Sequence, residues 1–303
     1  MPENILPRAV SLAIGEYLSM SRLYEIRLRA ERPVCVNYGN RYAFLSSQGL
    51  TDQPSEAITV GRADISRTIL SATEHSIYAY NDDIKKGFIS LPSGVRLGVC
   101  GEIVSENGRL LTVKNYSSVN IRIPHEIIGC ASCIMSDIVA HGCRAMIISA
   151  PGAGKTTMLR DIARALSDGS PGRSVLIADE RREIACASSG VPTMNVGLRT
   201  DVITDGTKAH TFECAIRAMR PDVIVTDELF GRDDVAIVRE AIGCGIGVIA
   251  SAHAADARSF EKREIFADMI KERLFERYYF LSPDFGRRRI AEARDAEFSV
   301  CDV

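Results

Sequence analysis

The segment Ser149-Ala150-Pro151-Gly152-Ala153-Gly154-Lys155-Thr156-Thr157 constrains the fold of this chain more than any other. It follows the apolar run AMIIS (145–149). It precedes a stretch in which Met158, Leu159, Ile162, Ala163 and Leu166 recur at helical spacing. Strand, glycine-rich turn and helix, in that order, are the context a phosphate-binding loop requires. Gly152 and Gly154 let the backbone curl so that successive N–H groups point at phosphate oxygens. The helix N-terminus adds its partial positive charge. Residues 149–157 are therefore expected to hold a nucleotide, with Mg²⁺ as its counter-ion. Lys155 would meet the β- and γ-phosphates, Thr156 would offer its hydroxyl to the metal, and Thr157 would reach the α-phosphate. The leading Gly of the G-x-x-x-x-G-K-[ST] pattern is Ser149 here. That position is the least needed, because the anion nest is built by the later residues.

The rest of the second part repeats the rhythm. The runs SVLIA (174–178), DVIVT (222–226) and IGVIAS (246–251) alternate with amphipathic segments, one carrying Phe212, Ala215, Ile216 and Met219. Continuous apolar runs with helices between them indicate a parallel sheet buried on both faces. Ligands in such folds sit beyond the carboxyl ends of the strands. Three runs end in polar residues suited to that place. Asp227 and Glu228 follow DVIVT, and are expected to hold the Mg²⁺ shell and to orient the attacking water, respectively. Asp179 and Glu180 follow SVLIA. Glu180 is a candidate for positioning water or metal, and the remainder of DERRE reads equally well as a solvated charge cluster. Ser251-Ala252-His253 ends IGVIAS, with His253 a candidate sensor of the γ-phosphate. From about residue 255 to 280 the chain reads as charged helix (ARSFEKREIFADMIKERLFERYYF). A basic turn, 286–289, and a strand follow.

The first part is of another kind. LYEIRLRA (23–30) alternates with period two, VCVNYGNRYAFL (34–45) reads as two strands about the turn 38–40, and 61–80 reads as a helix. KGFISLPSGVRLGVCGEIV (86–104) reads as a hairpin turning at 92–94, and SVNIRI as a strand ending at Pro124. The expected division is an α+β domain over 1–128 and a P-loop domain over 129–303, which suits a chain of 303 residues. Lys and Arg number 37 against 39 Asp and Glu, and neither part is a polyelectrolyte. Aromatic residues are 6% with no Trp, which leaves few stacking platforms for single strands, so no nucleic acid is expected as a partner. No apolar run approaches the roughly 18 residues of a membrane span, and no signal peptide is read at the N-terminus. The nine cysteines are odd in number, and several (Cys100, Cys186, Cys244) read as lying in apolar surroundings, as in reduced cytoplasmic proteins. Cys130, Cys133, His141 and Cys143 could make a zinc site. The tight HGC spacing and the apolar segment IIGCASCIMSDIV, read as a helix, argue for core packing instead.

GAGKTT, DERREIA, MRPDVIVTDELFG and SAHAAD, in this order, resemble the stage III sporulation protein AA family, which is similar to the type II and type IV secretion ATPases. The resemblance extends over most of the chain, LYEIRLRAERPVCV and GVRLGVCGEIV included. It implies a RecA-like ATPase domain behind an α+β domain, assembled as a ring homo-oligomer, a hexamer. The ring would energise a mother cell–forespore channel complex from the mother-cell cytoplasm, docked on integral-membrane partners. Lys155 and Thr156 match the Walker A positions and Asp227 and Glu228 Walker B, where secretion ATPases often have Gly-Glu. Asp179 and Glu180 fall in the acidic box and His253 in the histidine box, although SAHAAD has Ala where many secretion ATPases have Leu before the His and Thr after it. The family also turns arginines of its N-terminal domain toward the nucleotide. Arg96 and Arg122 stand in the corresponding strand-rich segments. Two competing readings remain: a nucleic-acid-dependent RecA-like ATPase, for which the arginine run 287–289 is the best support, and an ATP-binding scaffold that caps a membrane complex without turnover.

Overall fold

The computed structural model describes residues 5–39, 41–91, 94–106, 109–188, 190–282 and 290–302. Asn40, Pro92, Ser93 and the basic run 286–289 lie outside the described residues. The expected turns at 38–40 and 92–94 are therefore seen only in part, and the expected basic turn not at all. Two compact units divide between His125 and Glu126.

The N-terminal unit contains α1 (Arg8–Tyr17), β1 (Leu23–Arg29), β2 (Arg32–Pro33), β3 (Cys35–Tyr38), β4 (Arg41–Ser46), β5 (Gly49–Thr51), β6 (Thr59–Val60), α2 (Arg62–Ala72), α3 (Asn81–Lys85), β7 (Phe88–Ser90), β8 (Arg96–Glu106) and β9 (Arg109–Arg122). Its main sheet runs β5-β4-β3-β1-β9-β8-β7, with every pair antiparallel. One face is buried: Ile26, Leu28, Val36, Leu97, Val119 and Ile121 join α1 and α2 in one core. The period-two reading of β1 holds from Glu25 onward, yet Leu23, expected on the outer face, is buried. A bulge between Leu23 and Glu25 reverses the parity and turns Leu23 inward.

Two expectations need correction here. The helix expected over 61–80 ends at Ala72, because Glu74 and His75 take positive φ (49° and 62°), and Ile77–Tyr80 is a separate 3₁₀ turn. The strand before Pro124 begins at Arg109, well upstream of SVNIRI. With β8 it forms a long hairpin bulged near Gly101, where a Cβ would lie 2.6 Å from the Lys114 carbonyl oxygen.

The C-terminal unit contains α4 (Met135–Ala140), β10 (Ala145–Ser149), α5 (Lys155–Asp168), β11 (Val175–Asp179), β12 (Thr200–Thr204), α6 (Lys208–Cys214, continued by a π-turn over Ala215–Met219), β13 (Val223–Thr226), α7 (Arg232–Gly243), β14 (Gly247–His253), α8 (Ala257–Glu261), α9 (Glu264–Lys271), β15 (Arg277–Leu281) and β16 (Ile290–Arg294). Its sheet runs β12-β11-β13-β14-β10-β15-β16, parallel except for the last pair. Both faces are buried. Ile147, Ile177, Val225 and Ile249 pack against Met158, Leu159 and Ile162 of α5 on one side. Met146, Ile148, Leu176, Ile224 and Val248 pack on the other against Phe212 of α6, Val238 of α7 and Phe266 of α9.

Here too the structure departs from two expectations. The charged helix expected to reach residue 280 stops at Lys271, and RYYFL is β15. Tyr278 and Phe280 fill one core and Tyr279 the other, which only a strand allows. In IIGCASCIMSDIV only Met135–Ala140 is helical. Gly129 has φ +82°. The buried Asp161 carboxylate accepts the N–H groups of Gly129 (3.0 Å) and Ala131 (2.8 Å) in place of helical carbonyls.

Candidate nucleotide-binding site

Register brings the site together. Ser149 is paired with His253, Thr226 with Ala250, and Ala178 with Thr226, so β10, β14, β13 and β11 end along one edge. The loop 150–154 connects β10 to α5 at that edge. Gly152 and Gly154 hold φ of +79° and +91°, values that side chains with a Cβ resist. Gly154 is the N-cap of α5 and brings no side chain to its first N–H groups, the kind of helix start that suits an anion.

Lys155 is 6% exposed. Its ammonium donates to the carbonyls of Ser149 (3.1 Å) and Ala150 (3.3 Å), and to His253 Nδ1 at 2.8 Å. Burial lowers its pKa, and the charges of Asp227 and Glu228 oppose that effect. Since His253 Nδ1 accepts from the ammonium, Nε2 carries the proton, and it lies 3.2 Å from Glu228 Oε1.

Asp227 and Glu228 stand just beyond β13, whose four residues are fully buried. Asp227 Oδ2 accepts from Thr156 Oγ1 at 3.5 Å, and Oδ1 accepts from Ser251 Oγ at 2.6 Å. Glu228 lies at φ +20°, and Ser251 Oγ accepts its N–H at 3.1 Å. A hydroxyl and a carboxylate within hydrogen-bond reach are the hard oxygen donors that Mg²⁺ takes together with phosphate oxygens. Among the described residues there is no group of three or more His, Cys, Asp or Glu suited to a metal. A divalent ion here would thus depend on the nucleotide's own oxygens.

Asp179 and Glu180 have other neighbours. Asp179 is 1% exposed and accepts the N–H groups of Glu183 (2.7 Å), Ile184 (3.2 Å) and Ala185 (2.9 Å). Burial raises its pKa despite those three bonds. Glu180 accepts from Lys208 N (2.8 Å) and Nζ (2.5 Å) at the start of α6. The two arginines of DERRE are exposed and paired: Arg181 Nη1 donates to Glu228 Oε2 at 2.8 Å and Arg182 Nε to Asp205 at 2.9 Å. Arg181 and Lys208 were not singled out in the sequence, and their neighbours on the chain carry no signal of these partners. The Thr157 carbonyl accepts from Cys130 Sγ at 3.7 Å, a contact outside the expected phosphate site.

Arg96 and Arg122 lie in the N-terminal unit, directly opposite one another on β8 and β9, with Glu25 of β1 opposite Arg122 on its other side. All three side chains belong to the face of the sheet away from the core. The Arg96 guanidinium lies 5.0 Å from the Phe88 ring centre. The candidate zinc ligands do not converge. Cys130 and Cys143 are buried and Cys133 is exposed. Burial pushes the Cys143 thiol up, away from the thiolate form, and His141 is engaged by Asp137 and Arg277.

The fold is that of the RecA-like P-loop NTPases, a largely parallel sheet preceded along the chain by a smaller α+β domain. The ATPase DotB of Legionella pneumophila superimposes with a TM-score of 0.58 at 16% identity, over 90% of this chain and 77% of that one. The pilus retraction motor PilT with bound ADP superimposes with a TM-score of 0.58 at 15% identity, over 93% and 79%. In sequence, the chain is 31% identical to the stage III sporulation protein AA of Bacillus subtilis (strain 168), over 98% of this chain and 95% of that protein. The family "Sporulation stage III, protein AA" matches residues 4–296, and the chain belongs to it. No helix among the described residues is long and apolar enough to cross a membrane.

Proposed function

We propose that the protein is a Mg²⁺-dependent ATPase that works as a ring, a hexamer, and energises a mother cell–forespore channel complex during endospore formation. It would act from the cytoplasm, docked on integral-membrane proteins of that complex. The observation that carries the ATPase reading is the convergence of Lys155, Thr156, Asp227, Glu228 and His253 on one sheet edge. Family membership supports the sporulation role, and the likeness to a pilus retraction motor and to DotB supports the motor.

In this reading the loop 150–154 and the start of α5 bind the phosphates through backbone N–H groups. Lys155 leaves His253 and the Ser149 carbonyl for the β- and γ-phosphates. Thr156 and Asp227 would hold Mg²⁺, which would supply positive charge to offset the charge of the β- and γ-phosphates. Glu228 accepts a hydrogen bond from water aligned with the γ-phosphate. As the water oxygen bonds to phosphorus, the bridging oxygen leaves with its electron pair on ADP, and the water proton passes by way of Glu228 to phosphate. Glu180 and His253 orient the groups around that water. Arg96 and Arg122 supply cationic charge from the N-terminal unit.

The test is ATP turnover over a protein concentration series, with oligomer mass recorded in the same samples. Turnover that rises with assembly and falls steeply, though not to zero, in Glu228→Gln, which still binds ATP, is the expected result. Assembly driven by nucleotide without turnover would replace the motor with an ATP-binding scaffold.

A further inference from the structure

The Glu228 carboxylate is held from two sides. His253 Nε2 lies on Oε1 at 3.2 Å, and Arg181 Nη1 donates to Oε2 at 2.8 Å. Arg181 leaves the chain inside a hydrogen-bonded loop. The buried Asp179 closes the following loop through the N–H groups of residues 183, 184 and 185. The three side chains after Asp179 then diverge onto three different elements. Glu180 goes to Lys208 on α6, Arg181 to Glu228 beyond β13, and Arg182 to Asp205 beyond β12. Arg181 thus leaves a loop closed by the buried Asp179, next to Glu180, which is held by the buried Lys208.

The Arg181 side chain is 56% exposed and that of Glu228 22%. An ion pair of that exposure contributes little to stability. A base, however, gains from being fixed in direction, and an orienting partner on its far oxygen is the usual way to fix one. We propose that Arg181 is a positioning residue for Glu228. It would hold Oε2 so that the carboxylate keeps its aim at the water, without itself touching nucleotide. This assignment rests on the ATPase reading above.

The experiment is phosphate release from ATP by the full chain and by Arg181→Ala, Arg181→Lys, Glu228→Gln and the double variant Arg181→Ala/Glu228→Gln, in steady state and in single turnover. Arg181→Ala is expected to lower kcat about tenfold while leaving KM for ATP within about twofold. Arg181→Lys should recover much of the loss, since a cation again meets Oε2. In the Glu228→Gln background the Arg181→Ala change should cost nothing further, because the group it positions is gone. A general structural defect would instead multiply with the Glu228→Gln loss. Multiplying losses, a kcat within about twofold of the unmodified chain, or a faster Arg181→Ala variant would each overturn the assignment alone. No turnover in the unmodified chain would overturn the ATPase reading, and this assignment with it.

Discussion

The two sheets use their strands in opposite ways. In the N-terminal sheet every neighbour is antiparallel and one face is solvated, so β1 buries Ile26 and Leu28 and exposes Arg29. In the C-terminal sheet β10 buries Met146 and Ile148 in one core and Ala145 and Ile147 in the other. A strand gripped on both faces holds the residues at its end with little freedom. That is what a site made of Ser149, Asp227 and His253 needs. A sheet open on one face can instead carry a row such as Glu25, Arg122 and Arg96 on its free side.

The largest effect should come at the gripped edge. Lys155→Ala is expected to lower ATP turnover by at least ~10²-fold, measured as phosphate release, because the cation proposed to meet the β- and γ-phosphates is lost. Retained turnover in that variant would detach the C-terminal sheet from any catalytic role.

Core truncations test the difference in burial directly. Met146→Ala and Ile147→Ala, adjacent but on opposite faces, should each cost about 2–5 kcal/mol in urea unfolding. In β1, Ile26→Ala should cost a similar amount, whereas Arg29→Ala should stay within about 0.5 kcal/mol. If neighbouring residues of β10 differed as much as those of β1 do, the two-faced description of that sheet would fail.

The next effect lies in the segment leading into the C-terminal unit. Burial pushes the Asp161 carboxyl up, but the N–H groups of Ala131 and Gly129 and the Arg164 guanidinium outweigh burial and leave its pKa below the ordinary aspartate value. A depressed folded-state pKa stabilises the fold above the unfolded pKa of about 3.9, and that contribution is lost as pH falls through the folded value. Asp161→Asn should therefore cost about 1–3 kcal/mol at pH 7 and less under acid, where both proteins are compared by the same unfolding assay. An equal cost at both pH values would remove the charge from the explanation.

The smallest effect belongs to the N-terminal unit. Gly15 lies within α1, and a Cβ there would meet nothing within 4 Å. Gly15→Ala should raise stability by about 0.4–1 kcal/mol, seen as a higher unfolding midpoint. A loss instead would mean that this helix face is covered.

What could be read along the chain was what is local. The P-loop is nine consecutive residues between a strand and a helix. Asp227 and Glu228 follow an apolar run whose length marks it as a strand. Such features depend on backbone freedom, period and position at a strand end, all of which neighbouring residues determine. The family resemblance rested on the same short segments, and so did the expected α/β and α+β parts. β15 escaped because ERLFERYYF continues a charged helical pattern, and only the need to fill two cores makes Tyr278 and Tyr279 alternate. The break after α2 escaped because it lies in the left-handed backbone of Glu74 and His75.

The partners within the site belong to tertiary structure alone. Lys155 meets His253 across 98 positions of sequence and Glu228 meets Arg181 across 47. Strand order makes these neighbours, since β14 separates β10 from β13 and β13 separates β14 from β11. A sequence determines which residues stand at strand ends. It leaves open which ends lie side by side, because that depends on how the crossovers lay the strands down and on which helices cover each face.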